Sequence, residues 1–346
     1  MAEEVNEQFW RLMEGDTLAK LKELPAKSVD CIITSPPYWQ IRDYGFKGQY
    51  GLEPTIGLYT ANMVKVFEEC RRVLKTRGVM WLNMGDCYSE RGGKPSNHNL
   101  GNNACRSYLK AKGFKRKELI GQPWRLAFAL SDAGWYLRLD VVWNKPNAMP
   151  ESARDRPSRS HEYIFLLSKS AKYLFDKDAI KEKVTGNAHS RGEGINPKAQ
   201  KQVTGWDLEP GRHGSRHRGK SGGPNSRIHV TRDVAQRPPQ ARQNESMSAA
   251  LSGLVDYRSC RSVWDIATKG TSEDHYATFP EELARRCILS GCPLGGVVLD
   301  PFIGSGTTMK VALELGRSCI GIDLDPKCIQ MSTAKAQNVN LPLIHF

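Results

Sequence analysis

The sequence predicts an α/β fold built on a doubly wound, mostly parallel sheet, and two observations carry that prediction. First, short apolar runs bounded by turn residues alternate with segments of helical periodicity along most of the 346 residues. Second, a strand, a glycine-rich turn, a helix and another strand follow one another in "GVVLDPFIGSGTTMKVALELGRSCIGID", residues 296–323. A chain of this length is long enough for one large α/β domain with insertions.

The first half of the chain predicts four strands and two helices. The strands are short apolar runs, and the helices place apolar residues three and four positions apart. The predicted strands are 28–34, 78–86, 135–145 and 161–170, and the predicted helices are 59–75 and 122–134. A glycine, Gly134, closes the second helix. This alternation is the basis for expecting a parallel sheet.

The second half predicts two further helices and two further strands. A helix is expected over 279–292, with Pro280 in its first turn, where a missing amide hydrogen costs little. Val297 to Leu299 form a strand, Thr307 opens the next helix, and Asp323 ends the last strand of the unit. No internal repeat accompanies these elements.

The glycine-rich turn of this unit predicts a ligand site. Gly304 and Gly306 permit a tight turn with its backbone close to a ligand, and Asp323 could hydrogen-bond ribose hydroxyls. The turn lacks the third glycine of G-x-G-x-x-G, and no lysine follows Gly306 as in the phosphate loop. A nucleoside cofactor with a cationic or amino-acid tail is therefore favoured over one with a pyrophosphate. The alternative is a purely structural glycine turn.

A second candidate site follows the first strand, in the segment "TSPPYW". The prolines Pro36 and Pro37 have no amide hydrogen and a nearly fixed φ, so they would present Ser35, the Pro36 carbonyl and Tyr38 in a stiff, extended arrangement. The carboxyl ends of strands are where open α/β sheets bind their ligands. The alternative is a proline-rich turn whose aromatic residues only pack.

Composition narrows the class of protein. No apolar run approaches the roughly 20 residues that span a bilayer, and the acidic N-terminus has no signal-peptide core, so a cytoplasmic protein is expected. Nine cysteines are scattered without a CxxC pair, which predicts reduced thiols and no metal site.

The net charge of +13 is concentrated in two polar insertions. Residues 91–118 hold eight Lys and Arg against one Glu, and residues 181–245 hold thirteen against six Asp and Glu, a net of +7 in each. Clustered basic charge on an otherwise nearly neutral chain is typical of nucleic-acid binding. The alternative is that both insertions are solvated linkers. The candidate contact residues are Lys115, Arg116, Lys117, Arg212, Arg216, Arg218 and Lys220.

The motifs "TSPPYW", "DPFIGSGTT" and "GIDLD", in this order, resemble those of the amino-group DNA methyltransferases that use S-adenosylmethionine. In the permuted, beta arrangement of that family, the S/D-P-P-Y motif precedes the target-recognition region and the cofactor loop comes last. The segment "NKPNAMPESARDRPSRSHEYIFLLSKS" is similar to restriction-modification and phage-borne members. The resemblance is weakest across 91–118 and 181–260.

The resemblance implies a circularly permuted methyltransferase fold in three parts. Residues 1–180 would form the catalytic half, with 91–118 as a basic insertion. Residues 181–260 would form a target-recognition insertion that binds DNA, and residues 261–346 would form the cofactor-binding half. Implied partners are duplex DNA and a cognate restriction endonuclease, in a bacterial, archaeal or phage-infected cell, with the protein a monomer or a homodimer and no membrane involved.

The resemblance also implies roles for the site residues. Ser35 and the carbonyl of Pro36 would accept the hydrogens of the target amine. Tyr38 would stack on the flipped base, supported by Trp39. The implied catalytic set is Ser35, Pro36, Pro37 and Tyr38. Asp300 would meet the methionine ammonium of the cofactor, Asp323 its ribose and Asp16 its adenine amine. The full set implied for the cofactor is Asp16, Thr34, Phe279, Pro280, Asp300, Phe302, Gly304, Ser305, Gly306, Thr307 and Asp323.

The serine at position 35 bears on the target base. In this family Ser-Pro-Pro-Tyr mostly accompanies cytosine-N4 methylation and Asp-Pro-Pro-Tyr adenine-N6 methylation, so cytosine N4 is favoured and adenine N6 is the alternative. A cytosine-C5 enzyme needs a Pro-Cys motif, and no cysteine here follows a proline. Three classes compete with a DNA methyltransferase: an RNA or protein methyltransferase, a catalytically idle DNA-binding module, and a nicotinamide oxidoreductase, which the missing third glycine disfavours.

Overall fold

A computed structural model of the chain describes residues 9–89, 113–183, 257–268 and 279–339. The chain divides into two compact units, Met1–Ile180 with Cys260–Phe346, and Lys181–Ser259. The elements, in chain order, are β1 (Trp10–Glu14), α1 (Thr17–Glu23), β2 (Val29–Thr34), α2 (Ile56–Val73), β3 (Leu74–Met84), α3 (Gln122–Asp132), β4 (Tyr136–Asn144), β5 (His161–Ser168), β6 (Glu182–Lys183), β7 (Tyr257–Arg258), β8 (Val263–Asp265), α4 (Glu281–Gly291), β9 (Val297–Asp300), α5 (Thr307–Glu314), β10 (Ser318–Asp323) and α6 (Pro326–Gln337).

Eight of the described strands form one sheet in the first unit. Their order across the sheet is β1-β10-β9-β2-β3-β5-β4-β8. Neighbouring strands are parallel except at β5, which runs antiparallel to both β3 and β4. The predicted mostly parallel sheet is therefore confirmed.

The connections of the sheet create a crevice between β9 and β2. From β9 the chain crosses through α5 to β10 on one side, whereas from β2 it crosses through α2 to β3 on the other side. This change of direction is the topological switch point at which doubly wound sheets bind their ligands. It lies between the two motifs that the sequence singles out.

Helices cover both faces of this sheet, which is what makes it doubly wound. Along β2, Ile32 belongs to a buried cluster with α1, α2 and α3, whereas its neighbour Ile33 belongs to the cluster formed with α4, α5 and α6. Successive side chains of a strand point to opposite faces, so a strand that is buried on both sides consists of consecutive apolar residues. "CIIT" is such a run.

The strands and helices expected from the sequence are all present, with ends displaced by a few residues. The elements β1, α1, β6, β7, β8 and α6 were not predicted from the sequence. The described segments contain no helix with the length and apolar character that crossing a bilayer requires. Their eight cysteines are free thiols, seven of them buried.

In the second unit, the described residues form one small antiparallel pair, β6 with β7. The Arg258 guanidinium lies 3.2 Å from the Glu182 carboxylate across this pair. The remainder of the basic insertion, 184–256, lies outside the described residues.

Candidate active site

A cavity lies at the edge of the sheet where β1, β10, β9 and β2 end. It encloses about 960 Å³ of empty space, a figure that includes the open solvent at its mouth. Its walls combine apolar and carboxylate side chains. The residues implicated by the sequence that line it are Asp16, Ser35, Pro37, Phe279, Phe302, Gly304, Thr307 and Asp323.

Part of the cavity wall comes from aromatic residues that were not predicted from the sequence. Tyr44, Phe46 and Tyr50 line the cavity from the loop between β2 and α2. The ring of Tyr50 packs edge-on against Phe302, with 6.0 Å between ring centres. The Tyr50 hydroxyl donates to the carboxylate of Asp16 at 3.3 Å. Three aromatic residues in "DYGFKGQY", directly after the proline motif, were the available signal.

Asp323 connects the glycine turn to the end of β10. Its carboxylate accepts the Gly304 N–H at 2.8 Å and the Asp325 N–H at 2.9 Å. Burial raises the pKa of Asp323, and these backbone donors counteract that shift. Since each carboxylate oxygen has two lone pairs, the group can hold the turn and still accept hydrogen bonds from a ligand in the cavity.

Asp300 lies behind the cavity wall. It is 1% exposed, and its carboxylate accepts the Thr308 hydroxyl at 2.6 Å and the Phe302 N–H at 3.1 Å. Burial raises the pKa of Asp300 to about 6, against hydrogen bonds from Thr308 and Phe302 that lower it. Thr34 is itself fully buried beside it. Among the residues described, Thr308 and Phe302 therefore stand between Asp300 and the cavity.

Ser305 and Gly306 turn away from the cavity toward α6. The Ser305 hydroxyl accepts the Lys335 ammonium at 3.0 Å. Gly306 has φ 82°, and a Cβ there would lie 2.7 Å from the Cα of Ser332. The Ser332 hydroxyl donates to the Gly304 carbonyl at 3.0 Å. These two residues hold the turn against α6. Pro280 also lies outside the cavity wall; it is the extended N-cap residue that precedes α4, and not a residue of its first turn as predicted.

The proline motif is fixed from several directions. The Tyr59 hydroxyl donates to the Pro37 carbonyl at 3.0 Å. The backbone N–H of Trp39 donates to the Gln122 side chain at 2.9 Å, and its indole N–H donates to the Glu53 carbonyl at 2.8 Å. Trp39 is fully buried, so it anchors the motif in the core. Pro36 is also buried, and Ser35 and Tyr38 are partly buried.

The Tyr38 hydroxyl belongs to a polar network that was not predicted from the sequence. It donates to Glu162 Oε2 at 3.0 Å, and the Ser35 hydroxyl donates to it at 3.0 Å. The Asn83 amide donates to both Tyr38 and Glu162 at 3.0 Å. Lys145 forms an ion pair with the other oxygen of Glu162. Burial and the charge of Glu162 raise the pKa of Tyr38, so its phenol is neutral near pH 7.

The basic residues Lys115, Arg116 and Lys117 lie in an exposed turn before α3. The Lys117 ammonium lies 2.8 Å from the Asp155 carboxylate, an exposed pair. None of these three lines the cavity described above. The other candidates, Arg212, Arg216, Arg218 and Lys220, lie outside the described residues.

Within the described segments, no group of three or more His, Cys, Asp or Glu side chains could hold a metal ion.

Solved structures resemble this fold. The structure titled PvuII DNA methyltransferase (cytosine-N4-specific) aligns with 96% of this chain and 88% of its own, at 16% identity and a TM-score of 0.59. TTHA0409 of Thermus thermophilus, solved in complex with S-adenosyl-L-methionine, aligns with 97% of this chain and 99% of its own, at 21% identity and a TM-score of 0.54. At these identities the likeness establishes the fold alone.

Sequence comparison identifies the family to which the chain belongs. The type II methyltransferase M.SmaI of Serratia marcescens is 39% identical over 326 residues, covering 93% of this chain and 89% of M.SmaI. The model of the N6/N4 DNA methylase family matches residues 29–334. The resemblance carried by the motifs "TSPPYW" and "DPFIGSGTT" is thereby confirmed: the chain belongs to the N6/N4 DNA methylase family.

Proposed function

We propose that this protein transfers a methyl group from S-adenosylmethionine to the exocyclic N4 amine of cytosine in duplex DNA, after the base has been flipped out of the helix. The observation that carries the proposal is the position of Ser35. It lines the cavity beside the glycine turn, and its hydroxyl hydrogen is directed to Tyr38. An acceptor oxygen therefore faces the space where cofactor and amine would meet.

The cavity suits a nucleoside cofactor with an amino-acid tail. Asp323 could accept ribose hydroxyls, Asp16 could accept the adenine amine, and the rings of Phe302 and Tyr50 supply apolar walls. When bound, S-adenosylmethionine supplies an electrophilic methyl group on a sulfonium. Asp300 is proposed to act on the methionine end through Thr308, because its own carboxylate is buried behind that side chain.

The exocyclic amine is a poor nucleophile because its lone pair is delocalised into the ring. Acceptors that bind its hydrogens out of the ring plane localise the lone pair on nitrogen, which requires positioned groups and no covalent intermediate. Ser35 Oγ and the Pro36 carbonyl are the proposed acceptors. Tyr38 would stack on the flipped base. Its ring lies close to the backbone of Gly85, where a Cβ would be 2.7 Å from it.

Cytosine is proposed as the target because position 35 is serine within the S-P-P-Y motif. A neutral hydroxyl suffices as an acceptor for one amine hydrogen. Adenine N6 is the second candidate, because its amine poses the same chemical problem and the family includes both activities.

DNA contacts are proposed for the basic insertions, 91–118 and 181–260, with 1–180 as the catalytic half and 261–346 as the cofactor-binding half. Lys115, Arg116 and Lys117 are exposed, as phosphate contacts must be. A cognate restriction endonuclease is proposed as a functional partner, since the relative M.SmaI is a type II methyltransferase. The protein is proposed to act as a monomer or as a homodimer.

The product nucleoside tests this function. We expect duplex DNA incubated with the protein and S-adenosylmethionine, then digested to nucleosides, to contain N4-methylcytosine by mass spectrometry. N6-methyladenine would replace the proposed base and leave the amine chemistry standing. C5-methylcytosine would contradict the proposal. So would the absence of any methylated nucleoside when the DNA comes from a host that lacks amino-group methylation.

Replacement of Asp323 by Ala tests the cofactor site. The change removes a ribose acceptor and the acceptor of the Gly304 N–H, so we expect cofactor binding to weaken by about 1–3 kcal/mol, the cost of leaving buried polar groups unpaired. Calorimetric titration with S-adenosylmethionine measures the effect. Glu282→Gln, which alters an exposed carboxylate paired with Arg286 on α4, is the matched control. Wild-type affinity in a folded Asp323→Ala protein would contradict the assignment.

A further inference from the structure

Ser35 stands at one end of a hydrogen-bond chain that begins at Glu162, and each bond in the chain has a direction. An ionised carboxylate only accepts hydrogen bonds. The Tyr38 hydroxyl therefore donates its single hydrogen to Glu162 Oε2 at 3.0 Å. Its oxygen is left to accept, and it accepts from the Ser35 hydroxyl and from the Asn83 amide, each at 3.0 Å.

This direction decides what Ser35 offers to the cavity. A serine hydroxyl has one hydrogen and two lone pairs, and the hydrogen of Ser35 is committed to Tyr38. The Asn83 amide approaches Ser35 Oγ at 3.5 Å, the long limit of a hydrogen bond. Lone-pair capacity therefore remains for a donor in the cavity, and an exocyclic amine is a donor. If Tyr38 instead donated to Ser35, the serine would be free to present its own hydrogen to the amine.

We propose that Glu162 is a positioning residue that fixes Ser35 as a hydrogen-bond acceptor for the substrate amine, acting through the hydroxyl of Tyr38. The inference rests on the proposed function, because it assumes that an amine is the group presented to Ser35. Glu162 does not line the cavity, so its effect passes through the other two side chains.

The surroundings of Glu162 hold its carboxylate in place. Lys145 pairs with Oε1, and the Lys145 ammonium lies 4.3 Å from the centre of the buried Trp143 ring. Asn83, 4% exposed, donates to Oε2 at 3.0 Å. Gly85 leaves the necessary space, since a Cβ there would be 3.3 Å from the Glu162 carboxyl carbon. The carboxylate is thus held by partners from three strands or strand ends.

Single-turnover methyl transfer to unmethylated DNA, with radiolabelled S-adenosylmethionine, tests the inference. Glu162→Gln preserves shape, but its amide can donate as well as accept, so the direction of the chain is no longer fixed. Tyr38→Phe keeps the ring and removes the link without touching Lys145. We expect each variant to slow transfer about tenfold, the effect of one hydrogen bond. The double variant should be no slower than either single variant, because the chain is already broken.

Three measurements separate positioning from a structural role. The affinities for S-adenosylmethionine and for DNA, and the midpoint of unfolding, should stay close to wild type in Glu162→Gln and Tyr38→Phe. Glu282→Gln, in the exposed pair with Arg286, should transfer at the wild-type rate.

Several outcomes would overturn the inference. The inference fails if the rate losses of the two single variants multiply in the double variant. It fails if the single variants transfer at the wild-type rate. It also fails if cofactor affinity falls by as much as the rate. A wild-type protein that methylates no amine of DNA would overturn the proposed function first and this inference with it. The two failures are therefore distinguishable.

Discussion

Ser35→Ala is expected to slow methyl transfer by on the order of 100-fold while leaving the affinity for S-adenosylmethionine near wild type. Loss of one positioned polar group in a preorganised site has effects of this size. The variant removes the acceptor proposed for the amine and leaves the carboxylates of Asp16 and Asp323 in the cavity wall. The effect should therefore fall on the chemical step.

Single-turnover rates, with cofactor affinity from calorimetry, distinguish these outcomes for Ser35→Ala. Ser28→Ala is the control, because Ser28 is a hydroxyl near the other end of β2 whose bond to the Pro25 carbonyl, 2.8 Å, is exposed. It should transfer at the wild-type rate. If Ser35→Ala transferred methyl groups at the wild-type rate, Ser35 would have no role in the reaction. The proposed mechanism would then lose its main support.

The sequence predicts the parts of the fold that are encoded locally. The unit from β9 to β10 consists of a strand, a glycine turn, a helix and a strand in consecutive residues. Its pattern can therefore be recognised without any knowledge of the rest of the chain. The same holds for β2, where consecutive buried residues mark a central strand. Both candidate sites follow from these two units, because they adjoin at the switch point of the sheet.

Other elements depend on contacts between distant residues. In β1, Met13 is the one buried residue and Trp10 is exposed, so the strand shows little apolar periodicity. It is a strand because it pairs with β10, about 300 residues further along the chain. The short helix α1, also not predicted, does carry a local signal: Asp16 caps it by accepting the Ala19 N–H at 2.9 Å.

The polar network is non-local in the same way as β1. Glu162 is separated from Tyr38 by 124 residues, and in sequence it appears only as a charge at the start of an apolar strand. Its position follows from β5 running antiparallel to β3, which brings the start of β5 to the edge where β2 and β3 end. An antiparallel strand in a predicted parallel sheet could not be identified from "HEYIFLLS" itself.

Gly306→Ala is expected to destabilise the protein by about 2–5 kcal/mol, from the cost of overpacking together with that of a left-handed alanine. Gly306 has φ 82°, and its added Cβ would lie 2.7 Å from the Cα of Ser332, which is helix backbone and cannot rotate away. The residue also cannot shift easily, since its N–H donates to the Ile303 carbonyl and its own carbonyl accepts the Lys310 N–H, each at 3.0 Å.

Gly304→Ala separates the two causes, because Gly304 also has a positive φ, 52°, but a Cβ there meets nothing within 4 Å. We expect it to cost about 1–2 kcal/mol, the backbone penalty alone. Urea unfolding of both variants and of wild type, with a shared slope, gives the comparison. Equal losses would mean that the turn moves to admit the methyl group, and that close packing against α6 does not require a glycine at position 306. A larger loss for Gly306→Ala would show that the absence of a side chain at position 306 is what lets the glycine turn pack against α6, independently of any bound ligand.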